Sequence, residues 1–207
     1  MKICEYFRSL QGEGLMMGAP TYFIRTAGCN LHCSWCDTEY AQSGGQETSV
    51  EEIMEKLEDV RNVCVTGGEP LLQPDMYELL QRLVDEGKFV VLETNGSRNL
   101  EDVPDNQNIL ISMDIKCPSS GMQDKMMLSN LNVLTMKDQL KFVINDNIDL
   151  NYAIRFLREH PVNTNVIFSP VGGMNLQPLA EEVISRKLDV RVLPQLQKII
   201  WGDRNGV

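Results

Sequence analysis

Apolar residues in this chain gather into short dense runs separated by amphipathic stretches, and that alternation carries the first structural reading. Runs with strand character cover residues 22–25, 63–66, 89–94, 109–114, 139–144, 166–169 and 190–193. Several are continuous rather than alternating in polarity, as parallel strands covered on both faces should be. Helix-period segments lie between them. Ser49-Val50-Glu51-Glu52 has the capping-box pattern and opens a helix to about Glu58. Pro74 suits the first turn of a second helix, which runs to Glu86 and stops at Gly87. Asp149 begins a third that ends before Pro161, and a fourth covers residues 177–187.

Strand–helix alternation implies βα units wound right-handedly around a parallel sheet. A closed eightfold barrel takes about 250 residues. With 207 residues, this chain has room for about six short units. The expected fold is therefore α/β: a partial, open TIM-like (β/α)6 barrel of mostly parallel strands, with an open doubly wound sheet as the alternative. Either way the chemistry belongs at the C-terminal strand ends. No repeat, low-complexity tract or linker divides the sequence, so residues 1–207 read as a single domain.

Composition narrows the function classes. Nineteen basic residues against 29 acidic give a net charge of −10, which disfavours a nucleic-acid partner, since phosphate neutralisation dominates such binding. No apolar run approaches the roughly 20 residues of a membrane span, and the first residues lack a secretory pattern. The expectation is a cytoplasmic protein with no membrane partner. Its six cysteines do not suggest a disulfide framework in that setting. Cys4, Cys64 and Cys117 are scattered and read as packing residues.

The other three are not scattered. Cys29, Cys33 and Cys36 form a Cys-x3-Cys-x2-Cys loop directly after the strand that ends at Arg25 and the turn Thr26-Ala27-Gly28. A cubane 4Fe–4S cluster normally takes four thiolates; three from one loop leave one iron open to a non-protein ligand. Two other readings compete at this point. A zinc site could recruit His32, although its neighbour Cys33 makes joint tetrahedral ligation awkward. A redox pair could be made from Cys33-Ser34-Trp35-Cys36, leaving Cys29 unexplained. Further on, Val65-Thr66-Gly67-Gly68-Glu69-Pro70 runs a strand into a glycine pair, which permits close backbone approach. Glu93-Thr94-Asn95-Gly96 and Ile111-Ser112-Met113-Asp114-Ile115-Lys116 are two more strand ends where polar groups interrupt an apolar run.

The cysteine triplet together with Gly-Gly-Glu-Pro resembles the radical S-adenosylmethionine enzymes. The resemblance implies a 4Fe–4S cluster on Cys29, Cys33 and Cys36. It also implies S-adenosyl-L-methionine held by the backbone at Gly68 and by Ser112, Asp114, Lys116 and Ser169. Ser9-Leu10-Gln11-Gly12-Glu13-Gly14, Cys36-Asp37-Thr38 and the ending Leu193-Pro194-Gln195-Leu196-Gln197 through Trp201-Gly202 look like the 7-carboxy-7-deazaguanine synthase family, over essentially the whole chain. That likeness implies a carbon–nitrogen lyase of 7-deazapurine (queuosine or archaeosine) biosynthesis. Such an enzyme converts 6-carboxy-5,6,7,8-tetrahydropterin to 7-carboxy-7-deazaguanine with loss of ammonia. It further implies Mg²⁺ at Thr38, a homodimer, and an external electron donor such as flavodoxin or ferredoxin.

Substrate contacts are expected from Leu10, Gln11 and Gly12, from Arg25 as a bidentate carboxylate partner, from Thr66 and from Val207. Arg25 could instead form a rim salt bridge, and Thr66 could be a strand threonine with no role. Glu13 reads as support for the N-terminal loop and Glu69 as a brace for the glycine turn. Gln197 stands where the family often has histidine, and Val171-Gly172 replaces a more acidic turn. The rivals are an activase that makes glycyl radicals on a partner protein, and a non-catalytic iron–sulfur or zinc module.

Overall fold

The computed structural model describes residues 1–57 and 59–207. Nine strands form one open sheet: β1 (Lys2–Leu10), β2 (Pro20–Thr26), β3 (Gln46–Glu47), β4 (Asn62–Gly67), β5 (Phe89–Thr94), β6 (Ile109–Ile115), β7 (Gln139–Ile144), β8 (Asn165–Pro170) and β9 (Arg191–Val192). Their order is β3-β1-β2-β4-β5-β6-β7-β8-β9. From β2 to β9 every pairing is parallel; β1 runs antiparallel to both β2 and β3. The two edges, β3 and β9, do not pair with each other, so the barrel stays open as the length implies.

The helices are α1 (Val50–Glu55), α2 (Met76–Asp85), α3 (Asn147–Glu159), α4 (Leu176–Ser185) and α5 (Leu196–Trp201). α1 carries the full capping box: Glu52 N donates to Ser49 Oγ at 3.2 Å, and Ser49 N donates to Glu52 Oε2 at 2.8 Å. Glu58, where that helix is expected to end, lies outside the described residues. α2 buries Met76, Leu79, Leu80 and Leu83 along one stripe, the helical spacing of a core-facing surface. α3 begins earlier than Asp149. Asp146 caps it by accepting from Ile148 N at 2.8 Å and Asp149 N at 3.0 Å. Asp149 is instead buried within the first turn, accepting from Ser119 N at 2.9 Å. Two crossovers lack an α-helix: residues 95–108 join β5 to β6, and short 3-10 turns join β6 to β7.

Sequence periodicity did not reveal β1. Its residues are mostly half-buried with no alternating pattern, yet it pairs along its length with β2 and extends the sheet past the cysteine loop.

The sheet has two unlike faces. Helices cover one, where a large apolar core includes Phe142 meeting Phe156 and Phe168 edge to face at 5.6 and 5.5 Å. On the other face a small plug of Phe23, Cys64, Val91 and Leu110 closes the lower end, with Phe7 stacked on Phe23 at 4.7 Å. Because strand side chains alternate, the next residues on that same face are Arg25, Thr66, Glu93 and Ser112. These open onto a cavity. No helix among the described residues is long and apolar enough to cross a membrane.

Candidate active site

A cavity of about 550 Å³ lies above the plug, at the C-terminal ends of β2 and β4–β8. The cysteine loop forms one wall. Its position depends on backbone contact with the end of β4: Glu69 N donates to Gly28 O at 2.8 Å, and Gly68 N to Thr26 O at 3.2 Å. A Cβ on Gly68 would sit 2.1 Å from Gly28 O, and one on Gly67, whose φ is +143°, would sit 2.2 Å from Thr26 O. Both glycines are therefore required by the approach itself. Trp35 braces the far side of the loop, donating from Nε1 to Ser119 Oγ at 3.0 Å, while Ser34 Oγ donates to Ser119 O.

Cys29, Cys33 and Cys36 all face the cavity as free, half-buried thiols. Cys29 Sγ accepts from Leu31 N at 3.5 Å and from Asn95 Nδ2 at 3.7 Å. Among the described residues, no group of three or more His, Cys, Asp or Glu side chains is placed to hold a single metal ion. Three separated soft donors beside open space suit a polynuclear iron–sulfur cluster with one exposed corner.

Beside the loop, with Lys116 Nζ 5.6 Å from the centre of the Trp35 ring, lies a chain of buried charge. Lys116 Nζ contacts Asp114 Oδ2 at 2.6 Å; Lys141 Nζ contacts Glu13 Oε2 at 2.6 Å and Asp114 Oδ1 at 3.4 Å. Burial alone would push the Asp114 carboxyl up, but Lys116 and Lys141 outweigh it and hold the group below its usual range. Burial opposes charge on both lysines too, yet their acidic neighbours raise them, Asp114 foremost, so both stay protonated. Glu93 differs: burial dominates and raises its carboxyl. It accepts from Thr66 Oγ1 at 3.0 Å and from Gln11 Nε2 at 3.4 Å.

The expected site residues mostly meet here. Leu10, Gln11, Gly12, Arg25, Thr66, Gly68, Ser112, Asp114, Lys116, Thr38 and Val207 line the same cavity as the cysteines. Ser169 does not: it is buried in β8, and Pro170, Val171 and Gly172 line the cavity in its place. Arg25 forms the salt bridge of its second reading and also lines the cavity. Its Nε donates to Glu5 Oε1 at 2.8 Å with the guanidinium 5.4 Å from the Phe7 ring centre. Its terminal amino groups make no hydrogen bond among the described residues. Thr38 Oγ1 donates to Asp37 Oδ1 at 2.9 Å, which leaves oxygen lone pairs available to a hard cation.

Glu93, Lys141 and Gln195 also line the cavity; the sequence marks Glu93 only as part of a polar strand end and gives Lys141 and Gln195 no site role. A signal existed: Glu93 and Lys141 are charged residues inside otherwise apolar strands, at the parity of the polar strand ends. Gln195 donates to Glu13 Oε1 at 2.7 Å. Gln197 donates to the same oxygen at 3.3 Å, while its own Oε1 is buried without a partner. That oxygen would lie 1.8 Å from a Cβ at Gly12, so a larger residue there would displace the Gln197 amide.

The Radical SAM superfamily model matches residues 23–158. The 7-carboxy-7-deazaguanine synthase of Thermoplasma acidophilum is 40% identical over 209 residues, covering 100% of both chains. The enzyme of the same name from Methanospirillum hungatei is 45% identical over 206 residues, covering 97% of this chain and 85% of its own. Among solved structures, QueE from Escherichia coli superposes with a TM-score of 0.74 at 23% identity, covering 92% of each chain. Streptococcus suis SuiB bound to S-adenosylmethionine gives 0.58 at 12% identity, covering 80% of this chain and 47% of that one. Both share the fold.

Proposed function

The chain belongs to the radical S-adenosylmethionine superfamily and, within it, to the 7-carboxy-7-deazaguanine synthases, and on that premise we propose that its cavity converts 6-carboxy-5,6,7,8-tetrahydropterin to 7-carboxy-7-deazaguanine. The observation that carries this reading is that one cavity holds three cysteine thiols on one wall. A hydrogen-bonding floor of Gln11, Thr66 and Glu93 stands on the other. When bound, the 4Fe–4S cluster and S-adenosylmethionine supply a 5′-deoxyadenosyl radical by one-electron cleavage of the sulfonium.

The chain's residues have the remaining tasks of binding, orienting and excluding water. Cys29, Cys33 and Cys36 hold the cluster. Gly68, by backbone, and Ser112, Asp114 and Lys116 hold the nucleoside and amino-acid ends of S-adenosylmethionine, with the turn after Ser169 closing that side. The amino-pyrimidinone edge of a pterin presents adjacent N–H donors, which suit Glu93 Oε atoms, the orphaned Gln197 Oε1 and the amide of Gln11. Arg25 offers its free amino groups to the 6-carboxylate. Mg²⁺ at Thr38 would share that carboxylate, hard oxygen donors being its preference. Leu10 and Gly12 shape the pterin edge, and Thr66 fixes Glu93. The tail ending at Val207 covers the cavity mouth. Residence in the cytoplasm and a single domain, read from the sequence pattern, and a homodimer with a flavodoxin- or ferredoxin-type donor, carried by the family resemblance, complete the proposal.

The test is direct. Anaerobically reconstituted, reduced protein is incubated with S-adenosylmethionine, Mg²⁺ and carboxytetrahydropterin. The expected result is the deazaguanine product with S-adenosylmethionine regenerated. A fully loaded cluster that yields no product overturns the assignment, as does one that spends S-adenosylmethionine once per activation of a partner protein.

A further inference from the structure

We propose that Asn95, at the end of β5, is a positioning residue that sets the reduction potential of the cluster through Cys29. Asn95 is buried, 7% exposed. Its Nδ2 lies 3.7 Å from Cys29 Sγ and 3.2 Å from Asn30 Oδ1. The orientation of the amide follows from its other end. Oδ1 accepts from Ser97 N at 3.0 Å and from Ser97 Oγ at 2.6 Å, so the amino group must face the sulfur. The backbone is fixed as well. Asn95 N donates to Glu69 Oε2 at 2.7 Å, and Thr94 Oγ1 donates to Glu69 Oε1 at 2.9 Å. Glu69, wholly buried, thus ties the ends of β4 and β5 together and aims the Asn95 amide at one ligand.

The three ligands are not equivalent. Cys29 receives two N–H donors, from Leu31 and Asn95, whereas no hydrogen bond to the sulfur of Cys33 or Cys36 is formed among the described residues. An N–H···S bond draws electron density from a thiolate. It favours the more negative, reduced cluster over the oxidised one and so raises the potential. In a half-buried setting such a bond counts for more than in water. An external donor then needs less driving force to deliver its single electron, and the asymmetry places the effect on one corner of the cubane.

This inference rests on the cluster assignment above, and the experiment separates the two. Reconstituted full-length protein is poised across a series of potentials under argon while electron paramagnetic resonance follows the reduced cluster. Asn95→Asp keeps the shape and the acceptor for Ser97 but replaces the N–H donor with a negative oxygen; Asn95→Ala deletes the side chain. Both are expected to hold wild-type iron with midpoints moved to more negative potential, Asp further than Ala. For Ala the reduced-to-oxidised ratio at the wild-type midpoint should fall about threefold to tenfold, tenfold being about 59 mV for one electron. A wild-type midpoint in either iron-replete variant overturns the role of Asn95. Where neither variant retains iron, Ser97→Ala decides. It leaves the amide in place and loosens its aim, so a smaller negative shift supports the proposal and an unmoved midpoint overturns it. A wild-type protein that assembles no four-iron cluster fails the cluster assignment first, and this proposal with it.

Discussion

On the helix-covered face of the sheet, Ile24, Val65, Leu92 and Ile111 stand side by side on β2, β4, β5 and β6, all buried and all aliphatic. One residue further along the same strands, the cavity face presents Arg25, Thr66, Glu93 and Ser112. The two rows share a backbone and much of their burial, yet different physics holds them. Packing on the first row is non-directional, and each fully buried aliphatic side chain contributes roughly 1.5–3 kcal/mol. The second row depends on directed pairs whose removal leaves a desolvated partner. Stability is concentrated on one face and chemistry on the other, so substitutions should separate the two.

The largest effect belongs to the loop. Cys36→Ala is expected to lower iron content sharply and take turnover to background, while thermal unfolding stays near wild type; iron assay and calorimetry check both. An equal loss of turnover is expected on removing residues 205–207, but with the cluster still assembling, since the tail lines the cavity without reaching the thiols' backbone anchor. Normal turnover by the truncated chain would refute its role. Phe142→Ala, on the helix face, should reverse the pattern. A loss of about 3–5 kcal/mol in urea unfolding is expected, with the activity per folded molecule preserved. Glu93→Gln, of equal volume, should cut kcat/KM on the order of 100-fold, about 2.7 kcal/mol, with little change in the unfolding midpoint.

The smallest effect is a slope. Burial raises the Glu93 carboxyl, so its contribution to stability is present below the ordinary glutamate value of about 4.3 and fades as pH rises through the raised one. Asp114, held low by Lys116 and Lys141 against burial, has the opposite sign: its contribution is present above the ordinary aspartate value of about 3.9 and lost as pH falls through the depressed one. Urea titrations across mildly acidic pH should show Glu93→Gln gaining on wild type as pH rises. A parallel pair of curves would remove Glu93 from this account.

Much of this division was legible in the chain itself. Continuous apolar runs marked the parallel strands, and the cysteine spacing with the glycine pair located the site. What stayed hidden has physical reasons. β1 carries no alternation because its residues meet loops and the cavity as well as the core, and pairing with β2 supplies its order. The start of α3 was misplaced because two aspartates three residues apart compete for the cap, and only tertiary contact with Ser119 draws Asp149 inward. Lys141, and any role for Glu93 beyond marking a polar strand end, stay hidden because a charge within an apolar strand carries no meaning until its neighbours are known. The register of β5 against β6 and β6 against β7 supplies them. Ser169 sits at a strand end like the others and level with the cavity-lining Val143, yet there the cavity is lined by Pro170, the last residue of β8, and by Val171 and Gly172 after it.

The contact between Gly28 and Gly68 joins segments forty residues apart with no side chain between them. The prosthetic group therefore hangs from the sheet's own framework and not from an autonomous loop. Loosening β4 should release iron at once, so bleaching of the visible absorption would serve as a built-in gauge of when the central strands begin to part.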